Sequence, residues 1–360
     1  MNYQPEKKTV VFLGSYANAE ELGIHACFFD EATGKLTVAA QIGGVKNPTF
    51  LDVDADNRIL YSLAEETDQE GNRTGAAVSY RIHPETLQLE PISRERTTRG
   101  PACHLKLDAT RQNLLTSSYQ GGMAGISPVH EDGRIGPIAQ EHQHSGASLL
   151  PVQSQARVHS VTLDRRNQFA VVCDLGLDKI VVYRLDADRH TLTLHGEAKV
   201  RPGSGPRHFA FHPHGPYGYV INELSSTITA FAYQENEGTL AEIQTVSTLP
   251  EHFRGENACA EIQVSPDGRF LYGSNRGHDS IAVFAVKDED GTISPVDHVS
   301  TLGGHPRHFA LSPDGRFLLA ANRDGNNVVT FVRNPETGGL AFNGQQLELS
   351  QPVCVKFAQW

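Results

Sequence analysis

The chain repeats itself, and the repeat limits its fold more tightly than any count of its residues. The segment Pro206-Arg207-His208-Phe209-Ala210-Phe211-His212-Pro213 returns as Pro306-Arg307-His308-Phe309-Ala310-Leu311-Ser312-Pro313. Between them, Ala260-Glu261-Ile262-Gln263-Val264-Ser265-Pro266-Asp267-Gly268 has the same shape. Aligning the turns makes His212, Ser265 and Ser312 equivalent, and Asp164, Asp108 and Asp54 take the same place further back. The period is about 50 residues, and each unit reads as four short strands. An apolar run leads into a turn of the Ser-Pro-Asp-Gly kind, then into runs such as 270–274 and 280–286. A charged glycine turn, Lys287-Asp288-Glu289-Asp290-Gly291, precedes the fourth run. Four strands at this period predict the blades of a β-propeller.

Six units begin near Asn47, Gly100, Arg157, Gly205, Asn257 and His305. Residues 351–358 match only the first strand of a unit. Residues 9–42 hold strand runs and a charged turn, Glu31-Ala32-Thr33-Gly34-Lys35, but lack a first strand. Joined, the two ends make a seventh blade. The expectation is therefore an all-β, seven-bladed propeller of four-stranded antiparallel blades, one domain over residues 1–360, with the ring closed by 9–42 and 351–358. Closure removes sheet edges that would otherwise pair with other chains.

Propeller connectivity brings the start of each first strand and the end of each second strand to one face. One column at the strand starts holds Thr49, Cys103, His159, Arg207, Ala260 and Arg307, and its neighbour holds Phe50, His104, Ser160, His208, Glu261 and His308. At the ends of the second strands stand Glu65, Tyr119, Leu175, Glu223, Arg276 and Arg323, preceded by Ala64, Ser118, Asp174, Asn222, Asn275 and Asn322. Arginines, carboxylates and an imidazole thus converge on one end of the central channel, a setting suited to an anionic ester or lactone. The same residues also suit hydrogen-bonded ties between blades near the axis. His208 and His308 beside repeated Pro-Arg read as a structural repeat feature, and the Asn column as strand-end turn chemistry with a substrate contact as its alternative. The connections 143–157 and 250–257 enter this face and are placed to cover a substrate.

Other chemistries lack their signatures. The net charge of −11 and the absence of any Lys/Arg block argue against nucleic acid or an anionic membrane as partner. No apolar run is long enough to span a bilayer, and the first residues lack the apolar core of a signal peptide, so the cytoplasm is the expected location. Five cysteines, Cys27, Cys103, Cys173, Cys259 and Cys354, are odd in number and scattered, which fits reduced thiols rather than disulfides or zinc. There is no Gly-x-Ser-x-Gly elbow, His-Glu-x-x-His pair or phosphate-binding loop. The pairs His142/His144 and His212/His214 have no further ligand at a metal-binding spacing.

Val158-His159-Ser160, Asp174-Leu175-Gly176-Leu177-Asp178, Gly205-Pro206-Arg207-His208-Phe209, Asn222-Glu223-Leu224, Ala260-Glu261-Ile262, Asn275-Arg276-Gly277 and Pro306-Arg307 together resemble the bacterial lactonase family of seven-bladed β-propellers. That family includes propeller-type 6-phosphogluconolactonases and is similar to the fungal 3-carboxy-cis,cis-muconate lactonising enzyme. The resemblance covers essentially the whole chain. It implies lactone hydrolysis without a metal or other cofactor, on a small anionic lactone, at a site of His159, Arg207, Glu223 and Arg276. With the rim residues added, the expectation is His159, Glu223 and Arg276 as catalytic residues and Arg207, Glu261, Asn275, Arg307 and His208 as substrate contacts. The first motif departs from the family's Pro-His-x-His-Ser, since this chain has Ala156-Arg157-Val158-His159-Ser160. A cycloisomerase, a lactonase for a non-phosphorylated lactone and a protein-interaction propeller are the alternatives, and fold alone does not choose among them.

Overall fold

A computed structural model describes residues 8–360. Its strands form seven separate four-stranded sheets, each antiparallel throughout and six of them in simple sequence order. Blade one comprises Leu51–Asp54, Ile59–Thr67, Arg73–Ile82 and Leu89–Thr98, and blade four comprises Pro206–Phe211, Tyr217–Asn222, Thr227–Gln234 and Thr239–Ser247. Blade seven is the composite: Pro352–Gln359 lies innermost and pairs with Thr9–Ser15, followed by Ile24–Phe29 and Leu36–Ile42. The expected architecture and its closure by the two ends are both present.

The turn after each first strand shows why such different sequences are equivalent. Ser265 Oγ accepts the amide of Phe270 at 3.0 Å, and Ser312 Oγ accepts that of Phe317 at 2.9 Å. In blades two and three a carboxylate does the same work, Asp108 Oδ1 accepting from Asn113 and Asp164 Oδ1 from Phe169, each at 2.8 Å. Serine and aspartate are interchangeable here because each offers a short side-chain acceptor to an amide five residues on.

Between four pairs of blades, the first residue of the second strand packs its ring on the next blade. The rings of Phe169, Tyr217, Phe270 and Phe317 each meet a glycine in the outer turn of the following blade: Gly238, Gly291, Gly338 and Gly34. Those glycines have φ between +62° and +71°, and a Cβ on Gly338 would lie 2.2 Å from Phe270 Cδ1. Glycine is thus required twice over, for the left-handed backbone and for the ring packed on it. Between blades two and three, Asn113 and His190 replace ring and glycine by a 2.8 Å hydrogen bond. Gly338→Ala is expected to destabilise the fold by about 2–4 kcal/mol, from a disfavoured backbone and an overpacked ring together. Urea unfolding measures this, and an unchanged midpoint would contradict the packing described.

Candidate active site

The first strands do not begin regularly. In blade four Pro206 pairs with Asn222 but His208 pairs with Ile221, leaving Arg207 as an extra residue in the ladder. The same slip falls at His159 in blade three and Arg307 in blade six, and in blade five it spans Ala260 and Glu261. Blade seven has it too, at Val353. A β-bulge lets adjacent side chains share one side of the sheet, where a regular strand would send them to opposite faces. Arg207 with His208, and Arg307 with His308, accordingly line one cleft at the channel mouth, of about 330 Å³. Thr49, Phe50, Cys103 and His159 line it as well.

The second-strand ends supply the other wall, with Tyr16, Glu65, Tyr119 and Glu223. Glu223 Oε2 receives Arg207 Nε at 3.0 Å and Arg276 Nη2 at 3.0 Å. Burial works against its charge, but Arg276, Arg207 and Arg307 outweigh it and hold the carboxyl below its usual value. Arg207 is anchored further by the Ala260 carbonyl at 2.7 Å. Burial, with Arg276 and Arg307 nearby, brings Arg207 down to about 9, still protonated at neutral pH. Arg307 differs from both. Among the described residues it makes no ion pair, and its guanidinium lies 5.6 Å over the ring of Tyr16. One carboxylate thus answers two arginines while a third remains available to an anion.

His159 is 4% exposed, and its Nδ1 is buried with no hydrogen-bond partner. Its ring meets Tyr119 at 5.6 Å and His208 at 5.1 Å, both edge-on. Burial, followed by the positive field of Arg207 and the neighbouring groups, lowers its pKa well below the ordinary value, so the imidazole is neutral with a lone pair to offer. The Cys103 thiol, by contrast, is pushed up to about 11 by burial, and its S–H faces the His159 carbonyl at 3.2 Å. It is a packing residue and no nucleophile at neutral pH. Across the cleft, Glu65 is bound by Lys46 at 2.7 Å, Asn47 at 3.1 Å and Arg73, and these outweigh burial to hold its carboxyl at about 2. Among the described residues no group of three or more His, Cys, Asp or Glu is placed to hold a metal ion.

The family described as "Lactonase, 7-bladed beta-propeller" matches residues 10–357. The chain belongs to this lactonase family. It is 35% identical to a 6-phosphogluconolactonase of Bacillus subtilis over 97% of this chain and 98% of that one. A 6-phosphogluconolactonase of Formosa agariphila is 34% identical, over 94% and 96%. Among solved structures, the periplasmic gluconolactonase of Pseudomonas aeruginosa superposes with a TM-score of 0.90 at 31% identity, covering 98% of this chain and 99% of its own.

In this lactonase-family cleft the sequence-derived residues separate into layers. His159, Arg207, Glu223, Arg307 and His208 line the cleft itself. Arg276 stands behind Glu223, tied also to the carbonyls of Ala258 and Cys259, and reaches the cleft through that carboxylate. Glu261 lies one layer down, beneath His208 and His308. Asn275 is fully buried, donating to the Thr248 carbonyl at 2.8 Å and accepting from Thr248 Oγ1 at 2.8 Å, so it ties blade five to the end of blade four and does not line the cleft. Residues 143–157 fold back on blade three, where His144 meets Asp174 at 2.7 Å and Ser148 meets Asp178 at 2.6 Å. Neither they nor 250–257 line the cleft.

Tyr16, Val353, Asn47 and Arg73 were not singled out by the sequence reading. For Val353 the signal was there, because Pro352-Val353-Cys354 aligns with Pro306-Arg307-His308. Tyr16 follows as the seventh member of the column that contains Glu223. Asn47 and Arg73 have no such signal, since they belong to a connection and to the long third strand of blade one. No helix among the described residues is long and apolar enough to cross a membrane.

Burial lowers four channel imidazoles, those of His104, His159, His208 and His308, the last to about 3. The unfolded chain, with histidines near 6.5, therefore binds these protons first. Their contribution to stability is complete above about pH 6.5 and is lost as the pH falls toward the folded-state values, at up to about 1.4 kcal/mol per imidazole per pH unit. The urea midpoint is expected to change little between about pH 7.5 and 6.5 and to fall steeply from about pH 6.5 to 5, and a flat profile over the lower interval would contradict the burial of these rings as neutral groups.

Proposed function

We propose that this cleft hydrolyses a sugar-acid lactone, 6-phosphogluconolactone to 6-phosphogluconate. The observation that carries the reading is a neutral imidazole with an unpartnered nitrogen beside a cationic wall in which Arg307, among the described residues, has no carboxylate of its own. The 6-phosphogluconolactonase relatives support the substrate class. His159 accepts a proton as the oxygen of water bonds to the lactone carbonyl carbon. The carbonyl electrons move onto oxygen, where Arg207 offers charge-assisted donors. The carbon–oxygen bond of the ring then breaks, the carbonyl re-forms, and the ring oxygen leaves with the proton held by His159. Glu223 remains a carboxylate throughout and fixes Arg207 and Arg276 in place. Its engagement by two arginines supports His159 rather than Glu223 as the proton acceptor. Arg307 holds the phosphate. The five free thiols suit the cytoplasm as the proposed compartment.

A non-phosphorylated lactone is the second reading, favoured by the likeness to a gluconolactonase. The two are separated by kcat/KM for 6-phosphogluconolactone and gluconolactone, followed by pH-stat with spontaneous hydrolysis subtracted. The phosphorylated lactone is expected to be preferred by about 10- to 150-fold, the worth of one charge-assisted contact, and Arg307→Ala to remove that preference. His159→Asn is expected to lower kcat by on the order of 10²–10⁴ for either lactone with the fold retained. Equal use of the two lactones by the unaltered protein would overturn the phosphate assignment, and near-normal turnover by His159→Asn would remove His159 from the chemistry.

A further inference from the structure

Beneath the cleft the channel is ringed by one residue from each blade: Phe50, His104, Ser160, His208, Glu261, His308 and Cys354. Several of them share a task, which is to accept the backbone amide of the next blade's inner strand. His104 Nδ1 accepts from Val161 at 3.5 Å, His308 Nδ1 from Val355 at 3.3 Å, and Cys354 Sγ from Leu51 at 3.3 Å. His208 breaks the pattern. The amide it would take, that of Ile262, is taken instead by Glu261 Oε1 at 3.0 Å. His208 Nδ1 faces Glu261 Oε2 at 3.1 Å.

The proton positions follow by elimination along this chain. His308 uses Nδ1 as an acceptor, so its hydrogen is on Nε2, which lies 3.0 Å from Glu261 Oε2. The Glu261 carboxylate has no hydrogen to give, so His208 Nδ1 donates to the same oxygen. The lone pair of His208 is then on Nε2, which is buried without a partner in a residue only 5% exposed that lines the cleft. An unpaired buried acceptor costs stability and calls for a donor that the surrounding side chains do not supply. Burial and the neighbouring Arg207 and Arg307 keep this ring neutral.

We infer that Glu261 is a positioning residue that locks His208 as a hydrogen-bond acceptor at the cleft floor, where His208 receives a hydroxyl of a polyhydroxy-acid ligand. Residues 208 and 308 share the sequence Pro-Arg-His-Phe-Ala, yet they carry opposite tautomers, because the blade after His208 supplies a carboxylate and the blade after His308 supplies Cys354. The inference deepens the lactonase reading and rests on it for the identity of the ligand.

The test is ¹⁵N NMR of the imidazoles in the full chain, with His208 assigned by comparison with His208→Gln. The expected spectrum has His208 neutral, protonated on Nδ1 and not on Nε2, and titration with 6-phosphogluconate moves the Nε2 resonance toward that of an acceptor engaged in a hydrogen bond. In Glu261→Gln only one oxygen remains for three N–H groups. His208, the one not pinned by a backbone amide, turns over to the Nε2–H form. KM for the lactone then rises about 10-fold, the loss of one neutral hydrogen bond, with kcat changed far less. A purely structural Glu261 would lower the unfolding midpoint and leave KM alone, and that outcome overturns the proposal. An Nε2-protonated His208 in the unaltered protein overturns it too, and this measurement does not depend on whether any variant folds. If the tautomer and the 6-phosphogluconate shift are as expected but the protein turns over no lactone, the hydrolytic reading fails while the acceptor site stands.

Discussion

The β-bulge at the start of the inner strands is the constraint on which the site depends. A regular strand alternates its side chains, so a propeller without bulges would show its channel every second residue of each inner strand. The extra residue in blades three, four and six adds a further inward position at the mouth, occupied by His159, Arg207 and Arg307. Beneath it the regular alternation resumes with Ser160, His208 and His308. The bulge therefore creates two stacked layers at the channel mouth, and His208 and His308 of the lower one still reach the cleft. Blade seven carries the same bulge with Val353 in it, and the cleft wall there is apolar.

Charge is distributed between these layers in an order that the sequence does not show. Arg207 and Arg307 occupy equivalent positions, but Glu223 binds Arg207, together with Arg276 from a second-strand end, and makes no ion pair with Arg307. A buried carboxylate with two guanidinium partners avoids the cost of an unpaired buried charge and gives Arg207 a fixed orientation. Arg307, half-buried and stacked on Tyr16, makes no ion pair among the described residues, which is why the proposed reading gives it the anion. A chain of net charge −11 thereby holds a locally cationic cleft, and fixed donors around a neutral imidazole are the elements an acyl-transfer site needs.

Much of the fold was legible because the turn chemistry repeats. Ser265, Ser312, Asp108 and Asp164 each satisfy an amide five residues on, so the period could be read from short acceptors at matching places. The complementary ends announced the seventh blade in the same way. The cleft residues His159, Arg207, Glu223 and Arg307 were legible as departures from the repeat on one face. What stayed hidden depends on register and on neighbours across blades. No pattern in blade five marks Asn275 as turned inward, because asparagine at that point serves a hairpin or a ligand equally well until Thr248 is seen beside it. Lys46 and Arg73 bind Glu65 from outside the repeat, and the opposite tautomers of His208 and His308 are set by residues in the following blade.

Bulged residues of blades three, four and six are thus proposed to form one anion-recognising lactone site. A crystal structure of the protein with 6-phosphogluconate tests it most directly, since the product keeps both the phosphate and the carboxylate that was the lactone carbonyl. The account predicts the phosphate on Arg307 beside Tyr16, and the carboxylate within hydrogen-bonding distance of Arg207 and His159. A ligand bound elsewhere on the ring, or seated in this cleft with its phosphate away from Arg307 and its carboxylate away from His159, would contradict it.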